Sequence, residues 1–91
     1  MLTGNLTKIQ FRYIGKNIDD LYSLGMKYEK TGEKAKALTF YNALVSKYSD
    51  DFAKEEKKKC AEALSRSGDI YYRSRQYSSA MNQYLSGLRV S

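Results

Sequence analysis

The feature that most constrains this chain is an internal repeat with an offset of 43 residues. Two positions keep their apolar character at that offset, since Leu38 pairs with Met81 and Val45 pairs with Leu88. Other residues recur unchanged. A period between about 20 and 50 residues is typical of repeat architectures, so we expect two copies of one structural unit. The unchanged pairs are Leu21 and Leu64, Gly25 and Gly68, Tyr28 and Tyr71, Ala37 and Ala80, and Tyr41 and Tyr84.

The composition favours α-helices for that unit. The 91 residues include no Pro and only six Gly, so nothing interrupts long helices. Hydrophobic residues make up 42% and charged residues 29% of the chain, which is typical of a folded domain and not of a disordered tail. A chain of this length forms one small domain at most. We therefore predict an all-α fold.

The apolar positions recur with the spacing of amphipathic helices, and the pattern predicts four of them. Asn17 is predicted to cap the first helix, which begins at Ile18, and Gly32 to adopt the left-handed conformation beyond its end. Asp50 and Asp51 are predicted to break the chain and cap the third helix. The predicted helices run from 18 to about 30, from about 33 to 48, from 52 to about 73 and from 79 to 88.

Short links between successive helices make them antiparallel neighbours, which predicts two helical hairpins in tandem. The segment before them has no clear period. Its apolar residues fit a short helix or an alternating strand, and a short helix or an irregular leader is favoured. The predicted organisation is a leader at 1–17, a first hairpin at 18–49 and a second hairpin, with an extended first helix, at 50–91.

The repeated residues resemble the tetratricopeptide repeat, whose pattern is Trp, then Leu-Gly, Tyr, Ala followed four residues later by Phe, and finally Pro. In the first copy Leu21 takes the Trp place, Leu24 begins the Leu-Gly pair, Tyr replaces Phe, and Ser49 takes the Pro place. The second copy departs from the pattern with Ser67 in the Leu place. The resemblance covers about 18–89 and implies a right-handed superhelix, a fragment of an α-solenoid. The long third helix is similar to those of bacterial regulatory and sensor proteins, especially of Bacteroidetes type.

The small residues of the repeat have a steric role in this interpretation. Gly25 and Gly68 lack a Cβ, so a neighbouring helix can approach them closely. Ala37 and Ala80 are expected to allow the same approach from the second helix of each hairpin. The four repeated Tyr rings are expected to fill the space around these contacts.

The resemblance implies a binding scaffold, in which the first helix of each hairpin lines a concave groove for an extended or helical peptide. Tyr72, Arg66 and Arg73 are expected to contribute most, because Tyr and Arg dominate interface energetics. Family members that hold a C-terminal carboxylate use Lys and Asn here, and this chain has other residues at those positions. The predicted groove residues are Tyr22, Met26, Glu29, Glu62, Ser65, Arg66, Asp69, Tyr72 and Arg73.

Catalysis is not expected from this sequence. The chain contains no His, which excludes the ordinary acid–base dyad, an imidazole-activated nucleophile and a Cys/His zinc site. The single cysteine, Cys60, is expected to be a small residue in a helix–helix contact. We therefore predict a non-enzymatic protein with no cofactor and no metal. No stretch approaches the roughly 18 apolar residues of a membrane span, so no membrane segment and a cytoplasmic location are predicted.

Two alternatives to peptide binding stay open. The net charge of +6 and a series of basic residues interleaved with Tyr favour a nucleic-acid-binding helical domain. Apolar residues near the C-terminus favour self-association, either as a homodimer or by stacking with further repeats. The basic residues are Lys54, Lys57, Lys58, Lys59, Arg66, Arg73 and Arg75, and the apolar ones are Leu85, Leu88 and Val90.

Overall fold

The computed structural model describes residues 17–90, and this part of the chain is all-helical, as predicted. No strand occurs between residues 17 and 90. The predicted leader lies outside the described residues, except for Asn17. The helices are α1 (Ile18–Lys30), α2 (Lys34–Ser46), α3 (Lys54–Arg73) and α4 (Tyr77–Val90).

The two hairpin turns have the same backbone structure, 43 residues apart. Glu33 donates its N–H to the carbonyl of Tyr28 at 2.9 Å, and in the second turn the N–H of Gln76 bonds Tyr71 at the same distance. Gly32 has a φ of 82°, and Arg75, its equivalent, has a φ of 63°. Both turns therefore use a left-handed residue to stop the helix, and the repeat in the sequence is a repeat in the structure.

The two helices of each hairpin meet at the predicted close approach. The ring of Tyr41 covers Gly25 so closely that a Cβ on Gly25 would overlap it. In the second hairpin a Cβ on Gly68 would lie 2.5 Å from the nearest ring carbon of Tyr84. Each glycine thus accommodates a tyrosine ring from the partner helix, which confirms the steric role predicted for it.

The two hairpins pack together mainly through α2 and α3, and α1 also contacts α3. Cys60 is fully buried in this interface, as predicted, and burial raises the pKa of its thiol to about 11. One core therefore spans both hairpins. The buried residues of its main cluster are Ile18, Leu21, Tyr22, Ala37, Phe40, Tyr41, Ala43, Leu44, Cys60, Ala63 and Ile70.

The loop between the hairpins is longer than predicted. Helix α2 ends at Ser46 and α3 begins at Lys54, whereas the sequence pattern placed Tyr48 and Phe52 inside helices. These two rings contact each other edge to face, with centroids 5.6 Å apart, and both pack against the core. These two apolar side chains therefore pack the loop against the core. From the sequence alone, their spacing cannot be distinguished from that of residues on a helix face.

The cap predicted for α3 is wrong. Asp50 and Asp51 precede the helix by several residues, and the N-cap position is held by Ala53, whose side chain accepts no hydrogen bond. The N–H of Ala53 instead donates to the carboxylate of Glu56 at 2.9 Å. By contrast, Asn17 caps α1 as predicted, accepting a hydrogen bond from the N–H of Asp20 at 2.8 Å.

Helix α4 is longer than predicted at both ends. It begins at Tyr77, two residues before the predicted start, and continues to Val90. Val90 was expected to belong to an exposed apolar end, but it is partly buried and packs against the core. The exposed apolar residues of α4 are Tyr77, Met81, Leu85 and Leu88.

Candidate functional site

Most of the predicted groove residues lie together between α1 and α3, around two adjoining depressions. One depression has a volume of about 170 Å³ and combines residues of both helices, and the other, of about 300 Å³, is lined by α3 alone. Arg66 lines both of them. Apart from Tyr22 and Tyr72, every predicted groove residue lines one or the other. The linings are Met26, Glu29, Lys30, Arg66 and Arg73, and then Glu62, Ser65, Arg66 and Asp69.

Glu29 is the centre of the polar contacts in this groove. Its carboxylate accepts a hydrogen bond from the Tyr41 hydroxyl at 2.7 Å and from Arg66 Nη1 at 3.4 Å. Arg73 Nη1 lies 3.9 Å from its other oxygen. The Glu29 side chain is only 15% exposed, so its charge is compensated by groups from α2 and α3. Glu29 therefore forms one wall of the groove and also links the two hairpins.

Tyr22 lies beneath the groove and not in its open part. Its ring is buried, and its hydroxyl accepts a hydrogen bond from Arg66 Nε at 3.0 Å and donates to Glu62 at 3.5 Å. The ammonium group of Lys59 lies 4.5 Å from the ring centroid, within the range of a cation–π contact. Tyr22 thus positions Arg66, and the hydrogen bond between them raises the pKa of Arg66, which stays charged.

The second hairpin contributes a similar tyrosine–carboxylate contact. The Tyr84 hydroxyl donates to the Asp69 carboxylate at 2.5 Å, and this hydrogen bond raises the pKa of Tyr84. In the first hairpin the equivalent hydroxyl, that of Tyr41, bonds Glu29 instead. Burial and then this hydrogen bond raise the pKa of Tyr41 well above its ordinary value. Two of the three groove carboxylates, Glu29 and Asp69, are therefore oriented by a tyrosine of the second helix of their own hairpin.

Tyr72 lies apart from the two depressions. Its side chain is 59% exposed, and its ring contacts the ring of Tyr77 edge to face, with centroids 5.3 Å apart. Arg73, the next residue, has a side chain that is 59% exposed and reaches towards Glu29. The two neighbouring side chains thus place an aromatic face and a guanidinium at the end of α3.

Two lysines belong to this region although the sequence analysis did not assign them to the groove. Lys30 lines the smaller depression, four residues after Met26, and this helical spacing was a usable signal. Lys59 contacts the Tyr22 ring from the turn of α3 that precedes Glu62. That contact depends on how the two hairpins pack, and no local pattern could have indicated it.

The groove presents charges of both signs on a partly apolar surface. Its guanidinium groups and carboxylates can hydrogen-bond the side chains and the backbone of a peptide. Among the described residues, no group of three or more His, Cys, Asp and Glu side chains is placed to hold a metal ion. The four helices within 17–90 are each too short or too polar to cross a bilayer.

Comparisons with protein-family models, with curated proteins and with solved structures give no match to this chain.

Proposed function

We propose that this chain is a non-catalytic protein–protein interaction module, part of a larger regulatory protein, which binds a peptide or a partner helix between α1 and α3. The observation that supports this most is the groove itself. Side chains from two separate hairpins, Glu29 from the first and Arg66 and Arg73 from the second, line one open depression. The resemblance to tetratricopeptide repeats, and the superhelical stacking it implies, are part of the same proposal.

The exposed groups indicate what such a ligand would contact. Arg66 and Arg73 have side chains 39% and 59% exposed, so each can donate further hydrogen bonds to a ligand. The ion pair between Arg73 and Glu29 spans 3.9 Å, which makes it the contact that a ligand carboxylate would most easily replace. The exposed ring of Tyr72 next to Arg73 offers an apolar surface for the same ligand. We therefore expect a peptide with an acidic residue beside an apolar one.

Selection from short random peptides displayed on phage, followed by titration of the selected peptides, tests this proposal. We expect Arg73→Ala and Tyr72→Ala each to weaken binding by about tenfold. Arg89→Ala is the matched control, because Arg89 is an exposed arginine of α4 away from the groove. Equal binding by all three variants would show that the ligand site is elsewhere.

Nucleic-acid binding is the second candidate function. Lys54 and Lys58 are exposed one turn apart on α3, which provides a basic edge. Lys57 and Lys59 are partly buried, and Lys59 contacts the Tyr22 ring, so the predicted lysine cluster does not form one continuous surface. Titration with a short duplex and with single-stranded DNA decides between the two functions. Phosphate binding would weaken by orders of magnitude between about 50 and 200 mM salt, whereas peptide binding would change little.

A further inference from the structure

Another depression of the second hairpin shares only Ser65 with the lining of the groove. It lies between α3 and α4, has a volume of about 330 Å³ and is mainly apolar. Exposed Met81 and Leu85 lie on the same helix, α4, and are 62% and 47% exposed. We call this depression the α4 seat. It is lined by Ala61, Ser65, Tyr84, Gly87 and Leu88.

The equivalent place on the first hairpin is already filled by a helix. Forty-three residues before the lining of the α4 seat stand Ile18, Tyr22, Tyr41, Leu44 and Val45. The first four of these are buried in one cluster with the α3 residues Cys60 and Ala63, and Val45 packs against that cluster. The packing of α3 against α2 therefore shows what covers such a surface, and the α4 seat is the corresponding place on the second hairpin.

The α4 seat has smaller side chains than its equivalent at three of five positions, whereas Tyr84 is the same residue as Tyr41 and Leu88 is larger than Val45. Ala61 replaces Ile18, Ser65 replaces Tyr22, and Gly87 replaces Leu44. A helix that presented only residues the size of Cys and Ala would leave unfilled space in this wider depression. Because cavities are costly in a packed interface, a well-fitting helix must carry larger apolar side chains.

A second copy of this chain does not provide such a helix by repeating the α2–α3 contact. The positions of α1 equivalent to Cys60 and Ala63 are Asn17 and Asp20. Asp20 is exposed, and repeating the contact would bury its carboxylate against the mainly apolar α4 seat, which is costly. Head-to-tail stacking of copies is therefore unfavourable.

We propose that the α4 seat binds an amphipathic helix of a partner protein, which inserts Leu, Phe or Met side chains at the positions that Cys60 and Ala63 occupy on the first hairpin. This site is separate from the groove between α1 and α3. It does not rest on the function proposed for that groove, although Ser65 borders both.

The proposal is tested with two fluorescently labelled peptides of the α3 sequence, Lys54–Arg73. Each peptide is titrated with the whole chain, and its binding is measured. One carries Cys60→Leu and Ala63→Leu, and the other carries Cys60→Ala only. We expect the Leu peptide to bind about tenfold tighter or more in fluorescence anisotropy, because it buries more apolar surface. Equal binding of the two peptides would overturn the proposal.

Variants of the chain locate the binding. Gly87→Leu fills the seat and should abolish binding of the Leu peptide, whereas Gly87→Ala should keep it, because the added Cβ makes only ordinary contacts, 3.5 Å from Leu64 Cβ. If Gly87→Leu fails to fold, Ser65→Tyr, which restores the residue of the first hairpin, replaces it. Unchanged binding by the filled variant would place the peptide elsewhere and overturn the proposal.

Two further measurements separate the other occupants. Arg73→Ala should leave binding of the Leu peptide unchanged, and a loss there would mean that the peptide occupies the groove. Light scattering should show no dimer. A dimer that Gly87→Leu abolishes would identify a second copy as the occupant, which also overturns the proposal.

Discussion

Single residues fix how closely the two helices of each hairpin approach. We expect Gly25→Ala to destabilise the chain by about 2–3 kcal/mol, because its Cβ would overlap the fully buried ring of Tyr41, which cannot move aside. Gly68→Ala should cost less, about 1–2 kcal/mol, since Tyr84 is only partly buried. Urea unfolding measures both free energies.

Another helical glycine provides the control for this prediction. Gly87→Ala adds a Cβ with no close contact, and it should leave the stability unchanged or raise it by up to about 1 kcal/mol through helix propensity. A similar loss of stability for all three variants would mean that the tyrosine rings do not cause the effect.

Substitutions at the two left-handed turn residues are expected to have opposite effects on stability. Arg75→Gly should stabilise the chain by up to about 1 kcal/mol, because a side chain is unfavourable at its φ of 63°. Gly32→Ala should destabilise it by about 1 kcal/mol for the same reason. Thermal unfolding of the two variants compares them directly. A decrease in stability for Arg75→Gly would show that the Arg75 side chain contributes more than its backbone strain costs.

The buried hydroxyl of Tyr41 makes stability dependent on pH in the alkaline range. The pKa of Tyr41 is raised in the folded chain, so above about pH 10 the unfolded chain loses this proton while the folded chain keeps it. Raising the pH through that range therefore favours unfolding. Tyr41→Phe should be less stable at pH 8 by about 1.5 kcal/mol, having lost the hydrogen bond to Glu29, and the difference should shrink above pH 10.

Urea unfolding of both proteins across that range measures this effect, and Tyr77→Phe is the control, since Tyr77 is 57% exposed. A constant difference between Tyr41→Phe and the unchanged chain at all pH values would contradict the assignment.

At the level of the helix, the caps of α1 and α3 are unequal. Asn17 accepts a hydrogen bond from the first turn of α1, whereas Ala53 offers none to α3. We expect Ala53→Asp to stabilise the chain by about 0.5–1 kcal/mol and Asn17→Ala to destabilise it by about 1 kcal/mol. Chemical denaturation tests both. The bond between the Ala53 N–H and Glu56 leaves the N–H groups of the first turn for the introduced carboxylate, so a loss of stability for Ala53→Asp would contradict this expectation.

The helices were predictable from the sequence because their apolar spacing is regular and their turns carry recognisable residues. The start of α4 was missed because Gln76 and Ser78 favour a turn locally. The 43-residue repeat nevertheless makes Tyr77 the equivalent of Lys34, where α2 begins.

The departure of Ser67 from the repeat pattern has a tertiary explanation. Gln83, at the position of Phe40, donates to the Ser67 hydroxyl at 2.9 Å, so a polar pair replaces Leu24 and Phe40.

The groove was predictable in part. Periodicity selects the residues of α1 and α3 that core packing leaves over, and it therefore found Met26, Glu29 and Arg66. It could not show that Tyr22 is buried or that Glu29 accepts a hydrogen bond from Tyr41, because both depend on the packing between helices. Charge and spacing identify the face, and tertiary contacts decide which side chains stay available on it.

For the whole molecule, one core joins the hairpins, so they should unfold together. Leu44 is fully buried in the cluster that includes Cys60 and Ala63, and Leu44→Ala should cost about 3 kcal/mol. Hydrogen exchange should show the same loss of protection in α1 and in α3. Leu85→Ala, at a position 47% exposed, should change the stability by no more than about 0.5 kcal/mol. Loss of protection confined to the first hairpin would mean that the hairpins unfold independently.

The position of Glu29 couples ligand binding in the groove to the packing of the two hairpins. The same carboxylate that borders the groove also holds Arg66 and Arg73 of the other hairpin. A ligand that displaced Arg73 from Glu29 would remove one of the ion pairs between the two hairpins and so weaken their packing. Because such coupling is reciprocal, a change that separates the two hairpins would raise the affinity of the chain for that ligand.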